Sequence, residues 1–238
     1  MDLTKEAIEK ILELSDVQEH EIQGRTFTTK ALHEVKIANA AKLHVHTLSA
    51  VARYCHEMSH EMRADSFVHI IDYENVVVSS SLDVDERSRE SYIHATPIMD
   101  VFNFGANFNV ERFIIALQAQ FEQDETTAAI LKLVGNITHK AERGTLDDGC
   151  SQTITAKTGI VTAENVAVPN PVVLAPFRTF IEIPQPESKF IFRLKSRLDE
   201  EPTCSLHEAD GGAWKNEAIK RIYDRLKVEL PAGMTIIA

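Results

Sequence analysis

Cysteine, long apolar runs and basic charge are all scarce in this sequence of 238 residues. The three cysteines, Cys55, Cys150 and Cys204, are odd in number and widely spaced, which predicts no disulfide framework and favours reduced thiols. No run of about 18 apolar residues occurs, so no membrane span is predicted. The charged amino terminus lacks the apolar segment of a signal peptide. These absences predict a cytoplasmic protein with no membrane partner.

The charge balance is acidic. Lys and Arg number 25 and Asp and Glu number 36, which gives a formal net charge of -11. Affinity for nucleic acids rests on basic side chains that neutralise phosphates, so this balance argues against a general phosphate-binding surface. It leaves a local basic patch open. The apolar share of 44% is ordinary for a globular protein, and the length suits one large domain or two small ones.

Apolar periodicity predicts helices and strands in separate runs. The helical segments are 3–16 with Thr4 as cap, 47–62 with Thr47 as cap, 109–121 with Asn109 as cap, 126–137 and 213–230. The strand-like segments are 66–71, 75–82, 89–98, 151–160, 171–183, 189–197, 203–209 and 234–238. Such runs favour an α+β fold, a largely antiparallel sheet of a meander and hairpins packed with several amphipathic helices. We predict an N-terminal helical and extended segment, 1–40, and a single α+β domain, 41–238.

One string has the form of an enzyme motif. His56, Glu57 and His60 match H-E-x-x-H, in which two imidazoles one helical turn apart bind zinc and the glutamate acts on the metal-bound water. The spacing places both histidines on one helix face. A third ligand would have to come from Asp72, Glu74, Glu86 or Glu90, and the spacing selects none of them.

The surroundings of the string favour a solvated helix face over a zinc site. Ten histidines make a chance match to three fixed positions easy. The predicted apolar stripe lies elsewhere on the helix, roughly 100–140° from the two histidines. Its members are Leu48, Val51, Cys55, Ser59 and Met62, with Ala52 and Met58 at its margins. We therefore predict no metal, no cofactor and no catalytic residue, and we keep a zinc hydrolase as an unfavoured alternative.

Two other strings resemble sites only in part. In 204–212, strand alternation places Cys204 and His207 on opposite sides, and Asp210 or a glycine is expected to cap the next helix, whose N-terminus could alternatively hold an anion. In 144–159, the lysine of a phosphate loop is missing, so a hairpin turn is favoured over a cation site at Asp147 and Asp148. A Cys–His catalytic pair is left open, because such partners need to meet only in space.

A basic strand gives the second alternative. In 189–197, alternation places the cationic side chains on one face and apolar side chains on the other. Such a face could follow a nucleic-acid backbone, although a half-buried strand with a solvated face is commoner. The residues that would bind nucleic acid are Lys189, Arg193, Lys195 and Arg197.

Several long segments, in order, resemble the YfdQ-like family of uncharacterised bacteriophage and prophage proteins. They are 113–121 with the lead "FNFGANFN", 147–160, 168–194 and 206–222, so that the resemblance runs from about residue 45 to the C-terminus. The family has no established catalytic residues, and zinc-protease histidines are not part of its pattern. The resemblance implies a phage-encoded protein of the bacterial host cytoplasm, with a role in genome handling or host takeover.

The sequence therefore leads to three hypotheses. The first is a non-enzymatic phage accessory protein that acts through contacts with phage or host proteins, as a homo-oligomer. The second is a nucleic-acid-associated factor in phage recombination or replication that uses the basic strand. The third is the zinc hydrolase.

Overall fold

A threonine caps the first helix of the chain. The Ala7 N–H donates a hydrogen bond of 3.3 Å to the Thr4 hydroxyl, and helix α1 follows over Lys5–Ser15. Strands β1 (Glu19–Ile22) and β2 (Arg25–Thr28) then pair in antiparallel fashion. These elements belong to one compact unit, Met1–Ala40, and the rest of the chain, Ala41–Ala238, forms a second. This computed structural model describes residues 4–15, 17–22, 25–28, 41–83, 87–135, 145–147, 152–157, 163–168, 170–195 and 201–238.

The second unit contains the remaining elements. In chain order they are β3 (Leu43–Val45), α2 (Leu48–Glu57), a turn of 3-10 helix (Ser59–Glu61), β4 (Phe67–Ile70), β5 (Val76–Ser79), β6 (Ser91–Ala95), β7 (Phe108–Asn109), α3 (Val110–Gln120), α4 (Glu125–Gly135), β8 (Thr145–Asp147), β9 (Gln152–Lys157), β10 (Ala163–Val168), β11 (Val172–Leu174), β12 (Ser188–Lys195), β13 (Thr203–Glu208), α5 (Ala213–Glu229) and β14 (Thr235–Ile237). The predicted α+β class is confirmed.

A five-stranded sheet has the order β14-β4-β5-β6-β3. Its centre, β4-β5-β6, is the antiparallel meander that the sequence predicts. The edge strands β3 and β14 join it in parallel with β6 and β4. Helices α2 and α5 cover one face, and together they bury an apolar core. Its buried members include Leu48, Val51, Cys55, Val68, Ile70, Val76, Val78, Ile93, Ile222 and Leu226.

A four-stranded antiparallel sheet has the order β11-β12-β13-β7. Helices α3 and α4 pack on one of its faces and enclose a second, phenylalanine-rich core. That core includes Phe102, Phe113, Leu117, Phe121, Ile130, Val134, Phe190, Phe192, Cys204 and Leu206. A separate three-stranded antiparallel sheet has the order β10-β9-β8.

Side-chain caps fix where two helices begin. The Thr47 hydroxyl accepts from the Ala50 N–H at 3.3 Å, and Asn109 Oδ1 accepts from the Arg112 N–H at 2.9 Å. Both caps are predicted from the sequence and are confirmed, since these side chains satisfy N–H groups that have no partner within the helix. Among the described residues, no helix has the length and apolar character needed to cross a membrane.

Residues 175–187 form a loop that is largely buried, although Ile181, Pro184 and Glu187 are exposed. The predicted strand 171–183 is wrong beyond Leu174, because the chain there leaves the sheet. Phe180 and Ile183 enter the core of the five-stranded sheet. Polar groups of the loop find partners far away in the sequence as well as within the loop: the Thr179 hydroxyl donates to the Tyr73 carbonyl, and the Gln185 amide donates to the Phe180 carbonyl at 3.1 Å. We call residues 175–187 the central loop.

Candidate functional site

The H-E-x-x-H string does not lie on one α-helix. Helix α2 ends one residue after His56, and His60 belongs to the separate 3-10 turn. The prediction that both histidines project from one helix face is therefore wrong, because the backbone leaves the α-helical conformation at Met58, with φ of -108° and ψ of 25°. Both histidines are exposed, and His56 Nε2 lies 2.9 Å from the Glu229 carbonyl oxygen.

The residues around this string serve packing and local hydrogen bonding. Ser59, predicted on the apolar stripe, is exposed, since it follows the helix end. Of the proposed third ligands, Glu86 lies outside the described residues, and Asp72 accepts hydrogen bonds from the Asn75 side chain and the Glu74 N–H. Within the described ranges, no three His, Cys, Asp or Glu side chains are grouped to hold a metal ion.

The two described cysteines are buried packing residues. Cys55 and Cys204 are 1% and 0% exposed. Burial raises the pKa of Cys55 to about 11 and that of Cys204 to about 12, because it disfavours the charged thiolate. Both thiols are therefore protonated at neutral pH, which leaves neither suited to nucleophilic attack. Cys150 lies outside the described residues.

The 204–212 string separates as alternation predicts. Cys204 points into a core, and His207 is exposed on the other side of β13. Gly212 is the N-cap of α5, with φ of 82°, and the Asp210 carboxylate accepts from its N–H at 3.0 Å. Asp210 thus occupies the position in which the alternative reading placed an anion.

The environment of Asp210 keeps it ionised. Desolvation alone would raise its pKa, but hydrogen bonds from the Gly212 and Trp214 backbone and from the Ser188 hydroxyl, together with the Arg178 charge, lower it overall. The carboxylate is therefore anchored by neighbours from β12, the central loop and α5.

Arg178 in the central loop is a buried cation that the sequence did not reveal. Its side chain is 2% exposed, Nη1 donates to Glu208 at 2.6 Å, and Nη2 donates to the Ser188 hydroxyl. The guanidinium lies over the Trp214 ring, 3.8 Å from its centre, and near the Phe190 ring. Desolvation, only partly offset by Glu208, lowers the pKa of Arg178 to about 10, which still leaves it charged at neutral pH. This arrangement is a structural junction between β12, β13 and α5.

The 144–159 string forms a hairpin where it is described. Strands β8 and β9 pair in antiparallel fashion, with Asp147 opposite Gln152, so the hairpin prediction is confirmed. Asp148 and the turn itself lie outside the described residues.

The basic strand alternates as predicted where it is described. Phe190, Phe192 and Leu194 are buried, and Lys189 and Lys195 are exposed on the opposite face of β12. Arg193 shares that outer face and is partly buried. The outer face also exposes the apolar side chains of Ile191 and, on β11, Val173. Arg197 lies outside the described residues.

Among the clefts of the second unit, two are formed by described residues near α5 and α2. The larger, with a volume of about 730 Å³, lies beside the start of α5 and is lined by Ser188, Lys189, Asp210, Trp214 and Glu217 among others. The smaller, about 420 Å³, is lined by Cys55, Ser59, Met62, Arg63 and the 231–235 turn. Neither His56 nor His60 lines either cleft, and both cleft walls mix charges of opposite sign with apolar groups.

Histidines form a site-like row that sequence inspection missed. On the face of the five-stranded sheet opposite α2 and α5, strand register places Ile237, His69, Val77, His94 and His44 side by side. Their positions alternate with the buried residues of each strand, but only the pairing of distant strands brings them together. We call this surface the histidine face.

Comparison with known proteins adds no relative to this geometry. No protein-family model, curated protein or solved structure matches the chain.

Proposed function

We propose that this chain is a non-enzymatic phage accessory protein that acts through protein–protein contacts, as a homo-oligomer. The observation that carries the proposal is the composition of the five-stranded sheet. None of its strands, with sequences LHV, FVHI, VVVS, SYIHA and TII, contains an Asp, Glu, Lys or Arg, although 26% of the chain is charged. Helices α2 and α5 cover one face of this sheet, and no helix in the described part of the second unit packs on the histidine face.

A sheet face whose strands carry no charged side chain suits association of identical copies. With a net charge of -11, two copies repel one another over most of their surfaces. Contact through strands without carboxylates avoids bringing like charges together, and the exposed Ile71 and Ile237 beside the histidines add apolar area. Depletion of charge at the centre of a patch is the compositional mark of protein interfaces.

The phage context of the proposal rests on the resemblance of residues 45–238 to YfdQ-like proteins. A phage accessory protein made in the host cytoplasm would meet phage or host proteins there, and its uncovered sheet faces are the surfaces available for them. The Ile191 and Val173 side chains, 36% and 40% exposed, give the four-stranded sheet a second apolar surface of this kind.

Light scattering on the untagged full chain tests the proposal. In EDTA, size-exclusion chromatography with multi-angle light scattering should give a multiple of the 26.7 kDa chain mass. Ile71→Glu should shift the mass towards one chain, because it places a charge on the associating face. Val228→Glu is the matched control, since Val228 is 85% exposed on α5 and outside that face. A single-chain mass for the wild type at every concentration would contradict the proposal.

Nucleic-acid binding is the second candidate, and the outward cations of β12 favour it. Lys189, Arg193 and Lys195 lie on one face of β12, with about 13 Å between the first two positions and about 7 Å between the last two. The shorter interval is comparable to the phosphate repeat of an extended single strand. The exposed Ile191 between them offers an apolar surface for bases. This candidate predicts a role in phage recombination or replication.

Fluorescence anisotropy with a labelled single-stranded oligonucleotide tests this candidate. Three phosphate contacts predict that affinity falls about twentyfold between about 50 and 200 mM salt. Lys189→Glu with Lys195→Glu should abolish binding, whereas Lys220→Glu, which inverts one exposed charge on α5, should leave most of it. Absence of binding by the wild type at low salt would eliminate the candidate.

A further inference from the structure

Two histidines of the histidine face lie in direct cross-strand contact. His44 on β3 and His94 on β6 are register partners, and their ring centres are 5.6 Å apart. His44 is exposed and His94 is half-buried. Strand β3 is an edge strand of the sheet and β6 is its neighbour, so a second molecule can approach the pair from the open edge.

A chain of hydrogen bonds fixes which nitrogen of His94 carries its proton. The Asn75 Nδ2 donates to both Asp72 carboxylate oxygens at 3.0 Å, and a carboxylate only accepts, so the amide orientation is determined. Asn75 Oδ1 then faces His94 Nε2 at 3.0 Å and must accept from it. The neutral His94 ring therefore has its proton on Nε2 and its lone pair on Nδ1.

The Nδ1 lone pair of His94 is left unused. This atom is buried and has no hydrogen-bond partner among the described residues. A buried unpaired acceptor costs free energy, so its presence beside a second imidazole calls for a function. In metal sites, a ligating histidine commonly donates its other N–H to a carbonyl or carboxylate oxygen, which orients the ring. Asn75 holds His94 in that manner.

The spacing of the two rings fits a shared ion. Two imidazoles on one tetrahedral Zn²⁺, with Zn–N distances of about 2.0–2.1 Å, have ring centres about 5 Å apart. The observed separation of 5.6 Å is close to that value. His44 is exposed, and an exposed ring changes rotamer within nanoseconds, which allows an ion to enter between the rings.

We propose that His44 and His94 form half of a zinc site, and that the same pair from a second copy of the chain completes four-imidazole coordination. No third ligating side chain of the described residues joins this pair, so one chain supplies two ligands where tetrahedral zinc takes four. A two-fold axis through the ion would pair identical histidines, as in the commonest protein dimers. This inference deepens the proposed function, because it rests on association of two copies through the histidine face.

The surrounding charges permit the site. Burial, and to a lesser extent Lys42 and His44, lower the pKa of His94. Asp72 opposes that shift and supplies a nearby negative charge.

Zinc titration of untagged, EDTA-treated full-length protein tests the inference. Calorimetry should show half an equivalent of Zn²⁺ bound per chain, and light scattering should show that Zn²⁺ favours the dimer. His44→Gln and His94→Gln should each weaken Zn²⁺ binding by at least about tenfold. Circular dichroism and thermal melting would verify that both variants fold.

His69→Gln is the matched control. His69 lies on the same face but is separated from His94 by Val77, so its loss should leave zinc binding unchanged. The inference would be overturned if the wild type bound no Zn²⁺, or if His94→Gln bound Zn²⁺ as tightly as the wild type. Binding of one Zn²⁺ per chain without a change in mass would also overturn it. A metal-free multimer that ignores Zn²⁺ would sink the zinc site and keep the proposed function, whereas a monomer in EDTA that dimerises with Zn²⁺ would do the reverse.

Discussion

Replacement of Arg178 by methionine should destabilise the second unit by about 2–4 kcal/mol. Methionine keeps much of the side-chain volume and removes the charge. It removes two hydrogen bonds, to Glu208 and Ser188, each worth about 1.5–3 kcal/mol when a charged group takes part. It also removes the stacking on Trp214 at 3.8 Å, worth about 2 kcal/mol for a desolvated pair.

Two effects reduce the sum of these losses. Relief of the desolvation of a guanidinium that is 2% exposed offsets part of them, and the Glu208 side chain, 41% exposed, can turn to water when its partner is gone. Arg178→Lys should lie between the variant and the wild type, since lysine keeps the charge and loses the planar fork and the stacking.

Urea unfolding followed by circular dichroism gives the measurement. Arg53→Met is the matched control: Arg53 pairs with Glu57 on α2 with its side chain 75% exposed, and such a pair contributes only about 0.3–0.5 kcal/mol. A loss for Arg178→Met no larger than that for Arg53→Met would refute the view of Arg178 as the junction of β12, β13 and α5.

Three further predictions concern neighbouring groups. Glu182→Gln should lower the free energy of unfolding by about 1–2 kcal/mol and speed amide hydrogen exchange at the start of α2, because the Glu182 carboxylate accepts from the Leu48 and Ser49 N–H groups. Unchanged exchange at these amides would contradict the capping role of Glu182. Cys55 and Cys204 should resist iodoacetamide in the native protein at pH 8, as read by peptide mass spectrometry, since burial raises both pKa values; rapid labelling of either would contradict their burial. Asp210→Asn should destabilise the fold at pH 7, and this effect should be lost as the pH falls below about 3.8. The lowered pKa of the Asp210 carboxyl stabilises the fold above that pH, and the stabilisation is lost as the carboxyl becomes protonated. A difference in unfolding free energy from the wild type that stays constant from pH 7 to 3 would contradict this prediction.

Local signals in the sequence predict the elements well. Thr47 and Asn109 stand directly before apolar periods, and both are caps in the structure. Strand alternation in 189–197 correctly separates Phe190 and Phe192 from the exposed lysines. These features depend on neighbours within a few residues, which a single sequence displays.

Long-range partners account for what the sequence did not reveal. The carboxylate that binds the start of α2 comes from Glu182, 134 residues from Leu48. Residues 175–183 are apolar enough to resemble a strand, but their backbone and Arg178 find partners in the interior rather than in a sheet ladder. The pairing of His44 with His94 depends on parallel addition of β3, which no local pattern indicates.

The H-E-x-x-H string shows how a short pattern misleads. Its spacing implies a shared helix face only if the α-helix continues, and α2 ends before His60. The histidine with an unpaired buried ring nitrogen is His94, which lies on a strand and belongs to no sequence motif.

Light scattering of the untagged full-length chain in EDTA, over a wide concentration range, tests the central claim most directly. Association through the histidine face predicts a mass that is a multiple of 26.7 kDa and that falls to one chain in Ile71→Glu. A wild-type mass of one chain at every concentration would contradict the account.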